Sequence, residues 1–413
     1  MQDILVSAIG LDVHRDVIAA CCLHGRIESE PEAEHRTFST LAPGMCEMRK
    51  WIESTGCRYV AMESTGIYWH PVYDALEPCF GGEINILVVN ARHIKNVPGR
   101  KTDMRDAQWI ATLLRAGLLR GSFIPDRAFR DMRQLTRYRK SIVNDINKQK
   151  NRIDKYLQSS GFRFSTFLSD IFGISGRNII RHLIANGSIT REALDKCLKR
   201  KLRLKFEDIL VSLNGSLSAH QRLCLSRMFT HLECIESHLA EVEADIKDAI
   251  APYKEYLELL TTIPGVNMVS ASAILAEIGI DMDQFPNSQH FCSWAGLSPG
   301  NNKSAARQKS TRINQGNIYL KEMLCEIGWV IAAHRNYPLS GWYWSVKQRR
   351  GGKRAVIAVA RKILALIYIM LKRKTPYDAS HFEARKRQND DKRARRMVNE
   401  LRKLGYSITA PTA

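Results

Sequence analysis

Ala8-Ile9-Gly10-Leu11-Asp12-Val13-His14 decides how this chain is read: an apolar run that ends in an acid. Residues 4–9 and 17–23 have strand composition, and His14-Arg15-Asp16 between them predicts a hairpin. Working outward, a third strand is expected near Arg36-Thr37-Phe38. Residues 43–53 have helical spacing, with Met45, Met48, Trp51 and Ile52 on one side. Residues 59–62 form a second short apolar run, and it too ends in an acid, Glu63. Residues 67–76 read as a helix and 84–89 as a strand, and Thr102 is placed to cap a helix to about Gly117. Strands followed by alternating helices and strands predict an α/β sheet domain.

Four carboxylates stand out in this region: Asp12, Glu63, Asp103 and Asp106. The last two open the helix in Lys101-Thr102-Asp103-Met104-Arg105-Asp106-Ala107, three residues apart on one helical face. Carboxylates gathered on one patch suit hard divalent cations, Mg²⁺ or Mn²⁺, because these prefer oxygen ligands. A pair of such ions stabilises the attacking and leaving oxygens of phosphoryl transfer. Any one of these acids alone fits an ordinary turn or cap, as Asp103 beside Thr102 does. The case rests on the four together.

The rest of the chain is basic: 62 Lys and Arg against 42 Asp and Glu over 413 residues, a net charge of +20. That excess points to a polyanionic partner, nucleic acid foremost. The ten cysteines include no C-x-x-C pair, which argues against a disulfide framework or a zinc site and suits a reducing cytosol. The start, Met1-Gln2-Asp3, lacks signal-peptide character, and the most apolar stretch, 363–371, is too short to span a bilayer. A cytoplasmic protein without a membrane partner is expected.

From about Phe129 the strand signal fades. Residues 130–158 and 219–250 read as two long helices, suggesting a coiled-coil arm. The first carries Arg137, Arg139, Lys148 and Arg152 among its cations. Lys199, Arg200 and Lys201 open a concentrated basic run between the two. Each cluster could be a solvated face, but their number in one basic chain favours phosphate contacts. Residues 257–279 read as helix, Pro264-Gly265 turn and small-residue helix, in the manner of a helix-hairpin-helix whose turn amides can hold a phosphate. Trp342 and Trp344 precede Arg349 and Arg350, a pairing that either stacks on bases or packs a helix. Residues 356–371 form an apolar core helix, and a basic extension, helical or partly disordered, follows to Lys403.

The four acids with their flanks resemble the DEDD domain of insertion-sequence transposases of the 110 family. The downstream stretches Leu259-Leu260-Thr261-Thr262-Ile263-Pro264-Gly265-Val266, Gly296-Leu297-Ser298-Pro299-Gly300-Asn301-Asn302-Lys303-Ser304 and Arg312-Ile313-Asn314-Gln315-Gly316-Asn317-Ile318-Tyr319-Leu320-Lys321 resemble the same family's second domain, most closely its 1111 group. The resemblance implies an RNase H-like (RuvC-like) domain over 1–128, a helical coiled-coil arm over 129–256, a helical transposase domain with a helix-hairpin-helix-like element over 257–375, and a basic tail over 376–413. It implies Asp12, Glu63, Asp103 and Asp106 as catalytic metal ligands and Ser304 as the nucleophile, with Ser310 the fallback because relatives read Ser-Gly where this chain reads Ser304-Ala305. Lys303, Arg307, Lys309 and Arg312 surround Ser304 in sequence, and cations of this kind can hold a scissile phosphate. The resemblance further implies donor and target DNA as substrates, an element-encoded structured RNA as guide, and a tetramer of two dimers. Three other readings compete: a metal-only nuclease like a junction resolvase, a binding protein with a decayed site, and a sugar-kinase-like ATPase. The intact acids and serine argue against decay, and the basic tail against the kinase.

Overall fold

The computed structural model describes residues 4–64, 66–78, 83–91, 94, 106–299, 302–304, 307–310, 313 and 315–406. The chain divides into two compact units, Met1–Ile124 and Pro125–Ala413. In the first, β1 (Ser7–Val13) and β2 (Val17–His24) form the expected hairpin, with the His14 amide donating to the Val17 carbonyl at 2.9 Å. β3 (Glu32–Ser39) pairs antiparallel with β2. β4 (Tyr59–Glu63) runs parallel to β1 on its other side, and β5 (Asn85–Val89) parallel to β4, giving the order β3-β2-β1-β4-β5. β3 is longer than its sequence suggests. It is an edge strand in which only Phe38 is buried, so apolar alternation does not mark it.

α1 (Ala42–Thr55) follows β3, and α2 (Trp69–Leu76) follows β4. Ile9, Leu11 and Val13 of β1 share a core with Met48, Ile52, Val72 and Leu76 of these helices. Ala8 belongs to another cluster, with Trp109, Ile110 and Leu113 of α3 (Asp106–Arg115). The two-residue period of β1 thus serves two helical layers, one per face.

Gly10 is the point where α3 crosses the sheet. A Cβ there would overlap the Ala107 carbonyl oxygen and the Ala111 amide nitrogen, both backbone atoms that cannot rotate away. A glycine inside a strand is the residue that permits such an approach. Gly10→Ala is therefore expected to cost roughly 1–3 kcal/mol, the range for overpacking a close-fitted interior, read as a lower denaturation midpoint. An unchanged midpoint would mean that α3 does not need this seat.

The second unit is mostly helical. α4 (Arg127–Ser159) is followed by α5 (Ile174–Asn186), α6 (Arg191–Cys197), α7 (Phe206–Ser212) and α8 (Ala219–Ile250). Ile142, Ile146, Ile153 and Leu157 of α4 share one core with Leu225, Phe229, Leu232, Val242 and Ile246 of α8. Gln149 is buried beside this seam, its Nε2 donating to the Met228 carbonyl at 2.7 Å and its Oε1 accepting from Arg152 at 2.6 Å. The start of α8 falls where the sequence places it because Ser218 and Gln221 form a reciprocal capping box.

Beyond α8, α9 (Lys254–Thr261) and α10 (Met268–Ile278) flank the Pro264-Gly265 turn. α11 (Ser288–Trp294), the short strands β6 (Asn302–Ser304) and β7 (Arg307–Ser310), α12 (Ile318–Ala333), α13 (Ser340–Arg350), α14 (Gly352–Arg373) and α15 (Ser380–Lys403) complete the unit. α14 is the apolar axis, with Val356, Val359, Ile363, Leu364 and Ile367 buried and α11, α12 and α13 packed on it. The basic tail takes the helical form, as α15. Among the described residues no helix is long and apolar enough to cross a membrane.

Candidate active site

Parallel pairing sets the first acids side by side. Ile9, Gly10 and Leu11 of β1 are in register with Val60, Ala61 and Met62 of β4. The next residue on each strand is an acid, Asp12 and Glu63, so both lie at the same edge of the sheet. α3, seated on Gly10 through the Ala107 carbonyl, begins one residue earlier at Asp106. One strand pair and one helix seat thus bring three carboxylates from distant positions to one place.

The electrostatics register this convergence. Burial pushes the Asp12 carboxyl above its ordinary range, the facing His14 opposes the rise, and the negative charges of Asp106 and Glu63 add to it. His14 Nε2 lies 3.1 Å from Asp12 Oδ2. Asp12 is well covered, its side chain 19% exposed against 65% for His14. Asp103 lies outside the described residues, as does the expected cap Thr102. Among the described residues no three His, Cys, Asp or Glu side chains are arranged closely enough to hold an ion as they stand.

In the second unit Ser304 is the last residue of β6 and pairs with Arg307 of β7, and Lys303 pairs with Gln308. A bridge between Pro299 and Ile313 closes the base of this two-stranded ribbon. The serine backbone therefore sits at the ribbon's turn. The side chains of Lys303, Ser304, Arg307, Lys309 and Ser310 lie outside what is described, as does Arg312 altogether.

The ribbon's exit is fastened by a network that the sequence reading missed. A Cβ on Gly316 would overlap the backbone at Ala295-Gly296, so the loop lies flat against that turn. Asn317 caps α12, its Oδ1 accepting from the Leu320 amide at 3.1 Å, and its Nδ2 donates to Glu277 Oε2. Glu277, with its side chain only 3% exposed, also receives Arg137 on both oxygens at 2.7 and 2.9 Å, and Arg133 Nε stands 3.0 Å away. Burial depresses the Arg133 guanidinium to about 10, against the pull of Glu277. The one signal in the sequence was an acid inside an otherwise small and apolar helix, Ala276-Glu277-Ile278.

The proposed phosphate contacts have different surroundings. Arg137 is taken up by Glu277 and stacks over Tyr319, and Arg139 is paired with Glu243 at 2.6 Å. Lys148 is mostly exposed and paired locally with Asp145, and Arg152 is exposed while donating to Gln149. Lys199, Arg349 and Arg350 are exposed, and the side chains of Arg200 and Lys201 lie outside what is described. At the Pro264-Gly265 turn, Asn267 and Ser270 already cap α10 reciprocally. Trp344 donates to the Ala332 carbonyl at 3.3 Å and is flanked by Arg335 and Lys347 at 3.7 and 4.2 Å from its ring. Its ring is thus engaged within the protein.

Comparison with known proteins matches both parts of the chain. Residues 9–161 match a family model described as "Transposase", of the DEDD type of the IS110 group, and residues 257–344 match "Transposase IS116/IS110/IS902 family". The chain is 24% identical over 388 residues to the transposase for insertion sequence element IS1111A of Coxiella burnetii, covering 91% of this chain and 92% of that one. It is 26% identical over 175 residues to a probable family 20 transposase of Pseudomonas aeruginosa, covering 41% and 51% of the two chains. It is 29% identical over 124 residues to the pilin gene-inverting protein of Moraxella bovis, covering 29% and 38%. With the two domain matches in order and one relative aligned over nearly its whole length, the chain belongs to the IS110 family of transposases, enzymes of DNA transposition.

Proposed function

We propose that this transposase exchanges DNA strands through a covalent intermediate on Ser304, with a divalent ion held by Asp12, Glu63, Asp103 and Asp106. The observation that carries the reading is the meeting of Asp12, Glu63 and Asp106 at one sheet edge, where burial raises the Asp12 carboxyl and the charges of Asp106 and Glu63 add to the rise. Their hard oxygen donors suit Mg²⁺ or Mn²⁺, which when bound neutralises charge on the phosphate oxygens. The strand order β3-β2-β1-β4-β5, three antiparallel strands followed by two parallel ones, supports an RNase H-like reading of the first unit. The seam between α4 and α8 supports a coiled-coil arm.

In the proposed reaction the Ser304 hydroxyl oxygen attacks the scissile phosphorus and loses its proton. The bond from phosphorus to the deoxyribose oxygen breaks, and that oxygen leaves as a hydroxyl. Attack by a hydroxyl of the other DNA strand reverses the step and frees the serine, so no phosphodiester is lost. A donor and a target DNA, an element-encoded RNA that selects them, and a tetramer belong to the same proposal. The pilin gene-inverting name of one relative fits a recombining role.

Denaturing a reaction of the full chain, its element DNA and guide RNA should trap protein joined to DNA, and Ser304→Ala should trap none while still binding DNA. Strand cleavage by Ser304→Ala at the parental rate would instead establish the metal-only nuclease.

A further inference from the structure

The seam between α4 and α8 opens on one side into a groove of about 310 Å³. The two helices run antiparallel along it: Tyr138 meets His238 towards one end, and Gln149 meets Met228 towards the other. Ile142 and Ile235 line the stretch between. On α4 the lining positions, Tyr138, Ile142, Asp145, Gln149 and Arg152, fall on one helical stripe.

The two ends differ in chemistry. At one, Tyr138 is 48% exposed and meets the His238 ring edge to face, with centroids 5.7 Å apart. In such a contact each ring keeps at least one face that the other does not cover. At the other end Lys148 and Arg152 are exposed. Lys148 pairs with Asp145 at 2.9 Å and so neutralises the one acid that lines the groove. Arg152 pairs with no acid among the described residues and donates instead to Gln149 at 2.6 Å.

A second observation is independent of the exposed charges. Gln149 is only 3% exposed, beside a seam closed by Ile142, Ile146, Ile153 and Phe229. Burying an amide among apolar side chains is costly unless both its ends are bonded. Here both are: Nε2 donates to the Met228 carbonyl at 2.7 Å, and Oε1 accepts from Arg152. The amide therefore ties the guanidinium to the backbone of the opposite helix. Packing alone would be served by an apolar side chain; what the glutamine adds is an arginine fixed at the groove.

We propose that this groove holds an unpaired strand of DNA. Bases stack on the Tyr138 and His238 rings, Ile142 and Ile235 form an apolar floor, and Lys148 and Arg152 take phosphates. Tyr138 and Arg152 lie roughly 21 Å apart along α4, a distance that several nucleotides span and one does not. A duplex keeps its base faces stacked inside, so it offers nothing for rings in a groove to stack on. Transposition supplies the ligand, because a strand cut from one duplex and joined to another is unpaired in between. The site rests on the chain's acting on DNA and not on Ser304 as the nucleophile.

The test is affinity of the full chain for a short oligo(dT) as a function of salt, with oligo(U) of the same length and a duplex DNA fragment in parallel. Tyr138 and Arg152 are exposed, so the fold survives a change at either. Tyr138→Ala should weaken oligo(dT) binding roughly tenfold, the loss of one stacked base, and leave duplex binding unchanged. Tyr138→Phe keeps the ring and should bind as wild type does. Arg152→Gln should lower the salt slope by about 0.7, one phosphate of a single strand. Unchanged oligo(dT) affinity in Tyr138→Ala, or an equal loss in Tyr138→Phe, overturns the stacking site. An equal loss of duplex binding in Tyr138→Ala overturns the assignment to an unpaired strand. Oligo(U) held as tightly as oligo(dT), or more tightly, overturns the assignment to DNA, since uracil lacks the methyl group that the apolar floor favours. A wild type that binds duplex but no oligo(dT) overturns this site alone, and one that binds neither overturns the DNA contact as well.

Discussion

Asp12→Asn should abolish strand transfer and at the same time make the metal-free protein more stable. On the proposed reading the substitution removes one ligand from the ion that stabilises the transferring phosphate, an effect of several kcal/mol, or about 10³-fold in rate. The stability effect has the opposite sign. Asp12 is held above its ordinary value by burial, against the opposing His14, with Asp106 and Glu63 adding to the rise. Between the unfolded value near 3.8 and the raised folded value, the native state binds more protons than the unfolded chain. Stability therefore falls as pH rises through that window, and at neutral pH the fold carries the whole penalty. Asn carries no charge and escapes it. Denaturation of both proteins at pH 7 in chelator should place the variant's midpoint higher, and the two should converge at acid pH. A variant less stable than wild type at pH 7 would show that Asp12 is held as an ordinary structural acid.

Glu277→Ala is expected to destabilise the second unit by about 3–5 kcal/mol, the cost of stripping the partner from buried charges. The carboxylate is almost fully covered, and Arg133, with its side chain 17% exposed, pairs with no other acid among the described residues. Arg137 and Asn317 lose their shared acceptor at the same time. Glu277→Gln keeps the shape and one acceptor oxygen, so it should fall between wild type and Ala. The readout is the denaturation midpoint, together with the near-ultraviolet signal of the tryptophans. Equal midpoints for wild type and Ala would mean that the two guanidinium groups are satisfied by water.

Much of the fold was legible in the sequence because local signals agreed with the packing. The apolar runs ending in Asp12 and Glu63 became adjacent parallel strands. The period of Leu225, Phe229 and Leu232, begun by the Ser218 cap, fixed α8. What stayed hidden depends on partners far apart in the chain. The cation-rich face of α4 does not reveal that a buried acid on α10 waits opposite Arg137. Gly10 reads as a weak spot in a strand until α3 is laid across it. The ribbon β6–β7 reads as a loop because three- and four-residue strands rich in Lys, Arg and Ser have no apolar alternation.

The length of the paired helices also sets a scale. α4 and α8, with 33 and 32 residues, are each about 50 Å long at ~1.5 Å per residue. Packed along a shared seam they act as a ruler, holding the side chains at its two ends apart by a distance equal to about fifteen base-pair rises. Removing seven residues from each helix would shorten the ruler by ~10 Å while returning the seam nearly to its own face.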